Sequence, residues 1–297
     1  MRITNNMILR NSLEGLQTNR AAVQSLQTQM ASGTRIAIAS DDPTAASQLM
    51  GASGSLGAID QYKRNIGTAS SRNTVEGTAL TQVTDLLARA REVVVGQATD
   101  TATADTRLIA SKELESIFNT VVQIGNSKYG DSYLFGGDTA SVPPFGATGS
   151  GTTVGFTTTN PVGSPSMEIG NGQSIAPTSD GTNTFLDSNV LATLRDATRA
   201  LAGNDVPAAT TALNAMDGSF QQVQVLLGDN GAKSNALDSA SQNLDSLKLN
   251  LTKRKSDLQD VDIEAAVTTL ITKQTAYQAA MSVTSKVLGM SLTDYIR

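Results

Sequence analysis

The sequence predicts a mainly α protein, in which both chain ends form an elongated, antiparallel bundle or coiled coil of long helices and a small β-rich domain is inserted between them. Two observations carry this prediction. Apolar residues recur every seven positions near both ends of the 297-residue chain, whereas its middle is rich in Gly, Thr and Ser. A seven-residue apolar period places one stripe along a helix, and that stripe needs a partner helix to cover it.

The first predicted helix runs from about Asn5 to Ser32 and ends at Gly33, a favourable residue for a helix C-terminal cap. The residues from 34 to 40 are partly β-branched and predict an extended connector. Along the helix, the seven-residue stripe consists of Leu9, Leu16, Val23 and Met30.

A second helix is predicted to begin at Pro43, with Asp42 as its N-terminal cap, because proline lacks the N–H group that the first helical turn leaves unpaired. Arg35, Ile36 and Asp41 complete the predicted connector, and we expect Asp41 to pair with Arg35. A metal or acid–base pair of Asp41 and Asp42 is the alternative. Helix capping is favoured, because no other acidic or ligand cluster lies nearby in the sequence.

The second helix is predicted to continue to about residue 98, and a third helix to run from Asp105 to about Tyr129. Residues 133–137 then predict a strand and a turn. Between residues 139 and 179 the only charged residue is Glu168, so short strands with tight turns are expected and disorder is the alternative. We expect the insert, roughly residues 138–184, to contribute little to the helical core.

Helical spacing returns at Val190, and a turn is predicted at residues 228–231, which read Gly-Asp-Asn-Gly. From there to the end the chain contains no Pro, which favours one very long helix or two collinear ones. A change of apolar frame between Leu258 and Ile263 predicts a bend or boundary. The two successive stripes are Leu237, Leu244, Leu251 and Leu258, and then Val267, Gln274, Met281 and Leu288.

This layout predicts three parts. Residues 1–40 with 260–297 form a terminal-helix domain, residues 41–136 with 186–259 form a helical rod, and residues 137–185 form a β-rich outer insert. The sequence leaves open whether Tyr277 and Met281 lie inside the helix pair or between subunits. The side chains predicted to mediate assembly are Leu9, Leu16, Val23, Met30, Val267, Leu270, Ile271, Tyr277, Met281 and Leu288.

Composition excludes several function classes. The chain has neither Cys nor His, which removes thiolate and imidazole catalysis, Cys/His zinc sites and disulfides. No catalytic residue, cofactor or metal site is predicted. The formal net charge of -5 argues against nucleic-acid binding, and the one dense basic run, residues 253–255, is followed at once by acidic residues. No segment predicts a transmembrane helix or a cleavable signal peptide.

Three stretches of the sequence resemble the bacterial flagellin family. Residues 26–49 contain a helix end, a Ser-Gly-x-Arg-Ile turn and an Asp-Asp helix start; residues 131–145 resemble the exit from the helical rod into the outer domain; and residues 258–297 resemble the C-terminal helix. The turn followed by Asp-Asp-Pro is much more specific than a heptad repeat alone. Within the family, Asp41-Asp42-Pro43 and the ending Ser291–Arg297 are more similar to hook–filament junction subunits than to the filament subunit.

The resemblance implies a structural subunit of the bacterial flagellum that forms the hook–filament junction, with flagellin or a flagellin-like paralogue as the alternative. It implies export without cleavage through the flagellar type III apparatus, aided by an export chaperone, to an extracellular location. The implied partners are further copies of this chain in a ring, the other junction protein, and flagellin or the filament cap side. An enzyme and a signalling coiled coil are the competing classes, and no catalytic constellation or membrane span favours either.

Overall fold

The computed structural model describes the backbone of residues 2–99 and 101–295, with the side chains of residues 7, 10–99 and 101–286. Long helices dominate both halves of the chain, as the sequence predicts. The α-helices in the described residues are α1 (Arg2–Ser32), α2 (Pro43–Gln97), α3 (Ala104–Gly125), α4 (Val190–Ala202), α5 (Val206–Gln259) and α6 (Ile263–Tyr295).

The insert between α3 and α4 contains short antiparallel hairpins, which agrees with the predicted strands and tight turns. They pair β1 (Lys128–Tyr129) with β2 (Ser132–Tyr133), β3 (Phe145–Thr148) with β4 (Gly155–Thr158), and β5 (Met167–Gly170) with β6 (Gln173–Ile175). A π-helical turn, Thr182–Asp187, leads into α4. The mainly α fold class with a β-rich insert is therefore confirmed.

The chain divides into two compact units. The terminal unit consists of Met1–Ala58 and Leu247–Arg297, and the central unit consists of Ile59–Ser246. Each unit contains parts of both chain halves. Neither half of the chain therefore folds as a unit by itself.

The central unit has one continuous apolar core, to which the insert contributes directly. Phe185 packs against Phe135 and Phe145, with ring centroids 5.1 and 5.2 Å apart, and all three side chains are buried. Asn126 fixes Phe145 by accepting a hydrogen bond from its N–H and donating one to its carbonyl oxygen, at 3.0 and 2.6 Å. Val154 is also part of this core. The expectation that the insert contributes little to the helical core is wrong, because Phe145, Val154 and Phe185 belong to that core.

Buried residues repeat every seven positions along the central-unit parts of α2 and α5. The sequence predicts such stripes only near the chain ends, and the stripe in α2 is not among them. In α2 the buried positions are Ile59, Ile66, Asn73, Leu80, Leu87 and Val94. In α5 the corresponding positions are Ala209, Met216, Val223, Asn230, Leu237 and Leu244, all buried except the half-buried Asn230.

The turn predicted at residues 228–231 does not form, because α5 continues through it without a break. Asn230, in the middle of this run, donates hydrogen bonds from Nδ2 to the Asn73 carbonyl oxygen and to Glu76 Oε2, at 2.9 and 3.2 Å. Two glycines in a helix cost about 1 kcal/mol each relative to Ala. These contacts with α2, together with the apolar seam on either side, offset that local cost.

Candidate assembly site on the terminal helix pair

The terminal unit is built on an antiparallel pair of α1 and α6. Backbone hydrogen bonds join the segment after α1 to the segment between α5 and α6. The N–H of Val261 donates to the carbonyl oxygen of Gly33, and the N–H of Arg35 donates to that of Gln259, at 3.1 and 2.6 Å. These bonds flank an antiparallel β-bridge between Thr34 and Asp260. The end of α1 therefore lies beside the start of α6. The break between α5 and α6 confirms the boundary predicted between Leu258 and Ile263.

One face of α1 is less exposed than the others, and its residues alternate at spacings of four and three. This spacing is typical of a helix that packs against a single partner helix. Leu16, Val23 and Met30 of the predicted stripe lie on this face and are half-buried, whereas the side chain of Leu9 lies outside the described residues. This face includes Ser12, Leu16, Asn19, Val23, Leu26 and Met30.

The inner stripe of α6, which we define by its low exposure, has the same spacing. It includes Leu270 and Tyr277, which are half-buried. Several members of the stripe are small or polar, so the seam between α1 and α6 is thin. The inner stripe consists of Ala266, Leu270, Lys273, Tyr277, Ala280 and Thr284.

A second apolar face of α6, the outer stripe, consists of Ile263, Val267, Ile271 and Met281. Val267, Ile271 and Met281 each follow an inner-stripe residue by one position, which turns them about 100° around the helix. Val267, Ile271 and Met281 are 36, 58 and 46% exposed. Val267 and Met281 of the frame predicted for α6 therefore lie on this exposed face, whereas Gln274 of that frame is half-buried. Leu288, the last member of that frame, lies outside the residues with described side chains.

Further exposed apolar side chains lie elsewhere in the terminal unit. Met7 and Leu13 of α1, Ile38 of the connector, Met50 of α2 and Leu249 of α5 are all exposed. Most of the exposed large apolar side chains in the described part of the chain belong to this unit. Such a concentration of apolar surface is characteristic of a face that other molecules cover.

The connector between α1 and α2 is held by charged side chains acting on backbone groups. Arg35 donates from Nη2 to the carbonyl oxygen of Leu258 at 2.9 Å, where α5 is about to end. Its Nη1 lies 3.8 Å from Asp42 Oδ2, and both side chains are partly exposed. The predicted pair of Arg35 with Asp41 is wrong, because the Asp41 carboxylate instead accepts the N–H groups of Ala37 and Ile38, both at 3.1 Å.

The predicted helix start is confirmed. Asp42 Oδ1 accepts a hydrogen bond from the N–H of Ala45 at 3.0 Å, as a capping carboxylate does, and Pro43 is the first residue of α2. Ile36 is 7% exposed and anchors the connector in the terminal unit. The carboxylates of Asp41 and Asp42 are thus occupied by backbone N–H groups.

The described residues contain no group of three or more His, Cys, Asp or Glu side chains that could hold a metal ion. Within the same part of the chain, no helix is both long enough and apolar enough to cross a membrane. The terminal unit presents exposed apolar surface and charged side chains that hydrogen-bond to the backbone.

Comparison with known proteins gives matches over most of the chain. Residues 3–140 match the family model of the bacterial flagellin N-terminal helical region, and residues 213–296 match that of the bacterial flagellin C-terminal helical region. The chain is also similar to flagellar hook-associated protein 3 of Escherichia coli, at 25% identity, and of Salmonella typhimurium, at 26%. Each alignment covers 98% of this chain and 98% of the relative.

Solved structures share the fold. A putative flagellar hook-associated protein from Vibrio parahaemolyticus superposes with a TM-score of 0.66 at 19% identity, covering 74% of this chain and 100% of that one. FlgL of Bacillus cereus gives a TM-score of 0.57 at 20% identity, covering 69% of this chain and 99% of that one.

Proposed function

The chain belongs to the bacterial flagellin family, and from this we propose that it is a structural subunit of the bacterial flagellum that forms the hook–filament junction ring on which the filament assembles. Support comes from its similarity to hook-associated protein 3 over nearly the whole length of both chains. Flagellin itself is the alternative, because both family models describe flagellin regions.

The single observation that carries an assembly role is the presence of two apolar stripes on α6. The inner stripe packs in the pair with α1, whereas the outer stripe is exposed in the single chain. Covering apolar surface stabilises a contact by about 25 cal/mol per Å² removed from water. We infer that neighbouring subunits cover the outer stripe. In this proposal Val267, Ile271 and Met281 act between subunits, and Leu270 and Tyr277 act within one.

The partners follow from the position of such a ring. They are further copies of this chain, the other hook–filament junction protein on one side, and flagellin or the filament cap on the other. We also propose that the chain leaves the cell uncleaved through the flagellar type III export apparatus, with an export chaperone. The thin seam of α1 and α6 suits a chain that folds fully only on assembly. The proposed role is structural and requires no catalytic group.

The test replaces an outer-stripe residue and leaves the rest of α6 unchanged. Ile271→Asp places a charge on the exposed face, and Thr272→Asp, at the exposed neighbouring position, is the matched control. In cells whose own copy of the gene is deleted, we expect both variants to be exported. Only the Ile271→Asp cells should carry hooks without filaments and shed flagellin into the medium.

Two outcomes would contradict the proposal. Normal filaments on the Ile271→Asp cells would show that the outer stripe does not mediate assembly. Labelling of the wild-type protein along the whole filament, instead of at a single position where the hook ends, would identify it as the filament subunit.

A further inference from the structure

The insert consists of two parts that are attached to the helices in different ways. The β3–β4 part belongs to the apolar core of the central unit through Phe145 and Val154. Arg199 of α4 adds a hydrogen bond of 2.6 Å from Nε to the carbonyl oxygen of Val154. Opening this part would expose core side chains, so it can come away only when the core itself unfolds.

The β5–β6 part is joined to α2 by side-chain hydrogen bonds. Asn65 donates from Nδ2 to the carbonyl oxygen of Glu168 at 2.7 Å, and the Tyr62 hydroxyl lies 3.5 Å from Glu168 Oε1. Ile169 is buried, but it lies outside the continuous apolar core. Hydrogen bonds of this kind can be exchanged for bonds to water, which makes their net contribution small.

A second attachment holds the segment that follows β6. The N–H of Ser179 donates to Glu76 Oε1 at 2.8 Å, and Lys233 Nζ of α5 lies 3.3 Å from Ser179 Oγ. Glu76 is fully buried although it carries a carboxylate. The closed β5–β6 part thus ends beside a buried polar group, in the middle of the α2–α5 seam.

The two ends of this part meet at a narrow neck. Gly163 donates its N–H to Asp180 Oδ2 at 3.1 Å, and the Ser164 hydroxyl donates to the carbonyl oxygen of Thr178 at 2.6 Å. Gly163 has a φ of 82°, and a Cβ atom there would lie 2.6 Å from Asp138 Oδ2, so another residue at this position would be strained. A closed neck allows the residues beyond it to move together.

We propose that residues 163–180 form a strap, hinged at the neck of Gly163 and Asp180, that closes over α2 and opens without unfolding the core of the central unit. Opening separates Asn65 from Glu168 and Ser179 from Glu76, and leaves Phe145 and Val154 in place. It also admits water to Glu76. The strap thus controls access to the polar section of the α2–α5 seam.

Native-state hydrogen exchange on the full chain tests this proposal. Asn65→Ala removes one strap contact from the surface of α2, and Thr68→Ala is the control, because the exposed Thr68 hydroxyl bonds only to its own helix, at Arg64. In Asn65→Ala we expect exchange across residues 167–175 to be faster by about fivefold or more, which corresponds to the loss of one hydrogen bond. Exchange in α3 should be unchanged, and Thr68→Ala should resemble the wild type in both regions.

The rates in the wild type provide a second, independent measurement. Residues 167–175 should exchange faster than the buried face of α3, and this difference should persist in low denaturant. Equal rates in these two regions under all conditions would show that the strap opens only by global unfolding. An Asn65→Ala variant in which strap and α3 exchange accelerate together would overturn the proposal in the same way.

Discussion

Asn73 of α2 and Asn230 of α5 hydrogen-bond to each other's backbone across the central seam. Asn73 Nδ2 donates to the Asn230 carbonyl oxygen at 3.0 Å, and Asn230 Nδ2 donates to the Asn73 carbonyl oxygen at 2.9 Å. Both residues belong to the seven-residue stripes of their helices, in which the other buried side chains are apolar. A polar residue at such a position specifies pairing at a cost in stability.

This reciprocity predicts a non-additive mutational effect. Asn73→Leu or Asn230→Leu alone should destabilise the chain by about 1–3 kcal/mol, because each removes the 3.0 Å bond between Asn230 Nδ2 and Asn73 Oδ1 and one of the two bonds to the backbone. The double variant should be less destabilised than the sum of the two, because both polar groups are then removed. Urea unfolding of the four proteins at one pH measures the coupling. Additive losses would show that the two amides act independently.

Glu76 predicts a pH dependence of stability. Burial raises the pKa of its carboxyl above the ordinary value, and the Ser179 N–H, Lys233 and Asn230 only partly oppose this effect. Because the pKa is higher in the folded than in the unfolded chain, the stability gained from protonation is fully present below the unfolded pKa. It is lost as the pH rises through the folded pKa.

Glu76→Gln removes this titration and nearly preserves the side-chain shape. We therefore expect the wild type to lose stability relative to Glu76→Gln as the pH rises from about 4 towards neutrality. Urea unfolding of both proteins across this range gives the difference. A constant difference, or one of opposite sign, would contradict the expected direction.

The β3–β4 part of the insert is predicted to be essential for central-unit stability. Phe145→Ala should lower the free energy of unfolding by about 3–5 kcal/mol, because the aromatic ring is buried against Phe185. Val162→Ala, at a 56% exposed position of the same insert, should change it by less than about 0.5 kcal/mol. Thermal or urea unfolding compares the two. A mild effect of Phe145→Ala would restore the view that the insert is dispensable.

The terminal helices are predicted to be only marginally stable in the free chain. Their seam is thin: in the inner stripe only Ala266 and Thr284 are fully buried, and the described face of α1 is half-buried at best. Such burial does not offset about 1–2 kcal/mol of backbone entropy per residue. Amides in residues 10–32 and 263–286 should therefore exchange much faster than those of α3. Comparably slow exchange would contradict this.

Local signals in the sequence were sufficient to predict most of the helix boundaries. The Asp42 cap and Pro43 start of α2 depend on neighbouring backbone groups, so they could be predicted without the fold. Local signals could not predict that the helix continues through residues 228–231. The Gly and Asn residues there favour a turn, whereas the contacts of Asn230 with α2 and the apolar seam on either side keep the helix continuous.

The candidate site was predicted in part. The sequence identified apolar periodicity in α6, but several frames share the same seven-residue period, and only packing with α1 distinguishes the inner from the outer stripe. The partner of Arg35 was missed because Asp41 and Asp42 are equivalent in sequence, whereas the bend of the connector directs the Asp41 carboxylate to backbone N–H groups. The three-part division of the chain and the intersubunit roles of the stripe residues stay predictions.

By itself, the sequence determined the helical class, the breaks at Gly33 and near Asp260, the β-rich insert and the resemblance to flagellins. Periodicity, capping residues and composition are properties of neighbouring positions along the chain, so they can be read without coordinates. The tertiary structure decided which α6 face is covered, that Phe145 and Phe185 complete the core, and that Asn73 and Asn230 meet. Those outcomes depend on side chains far apart in sequence, whose proximity is set by packing.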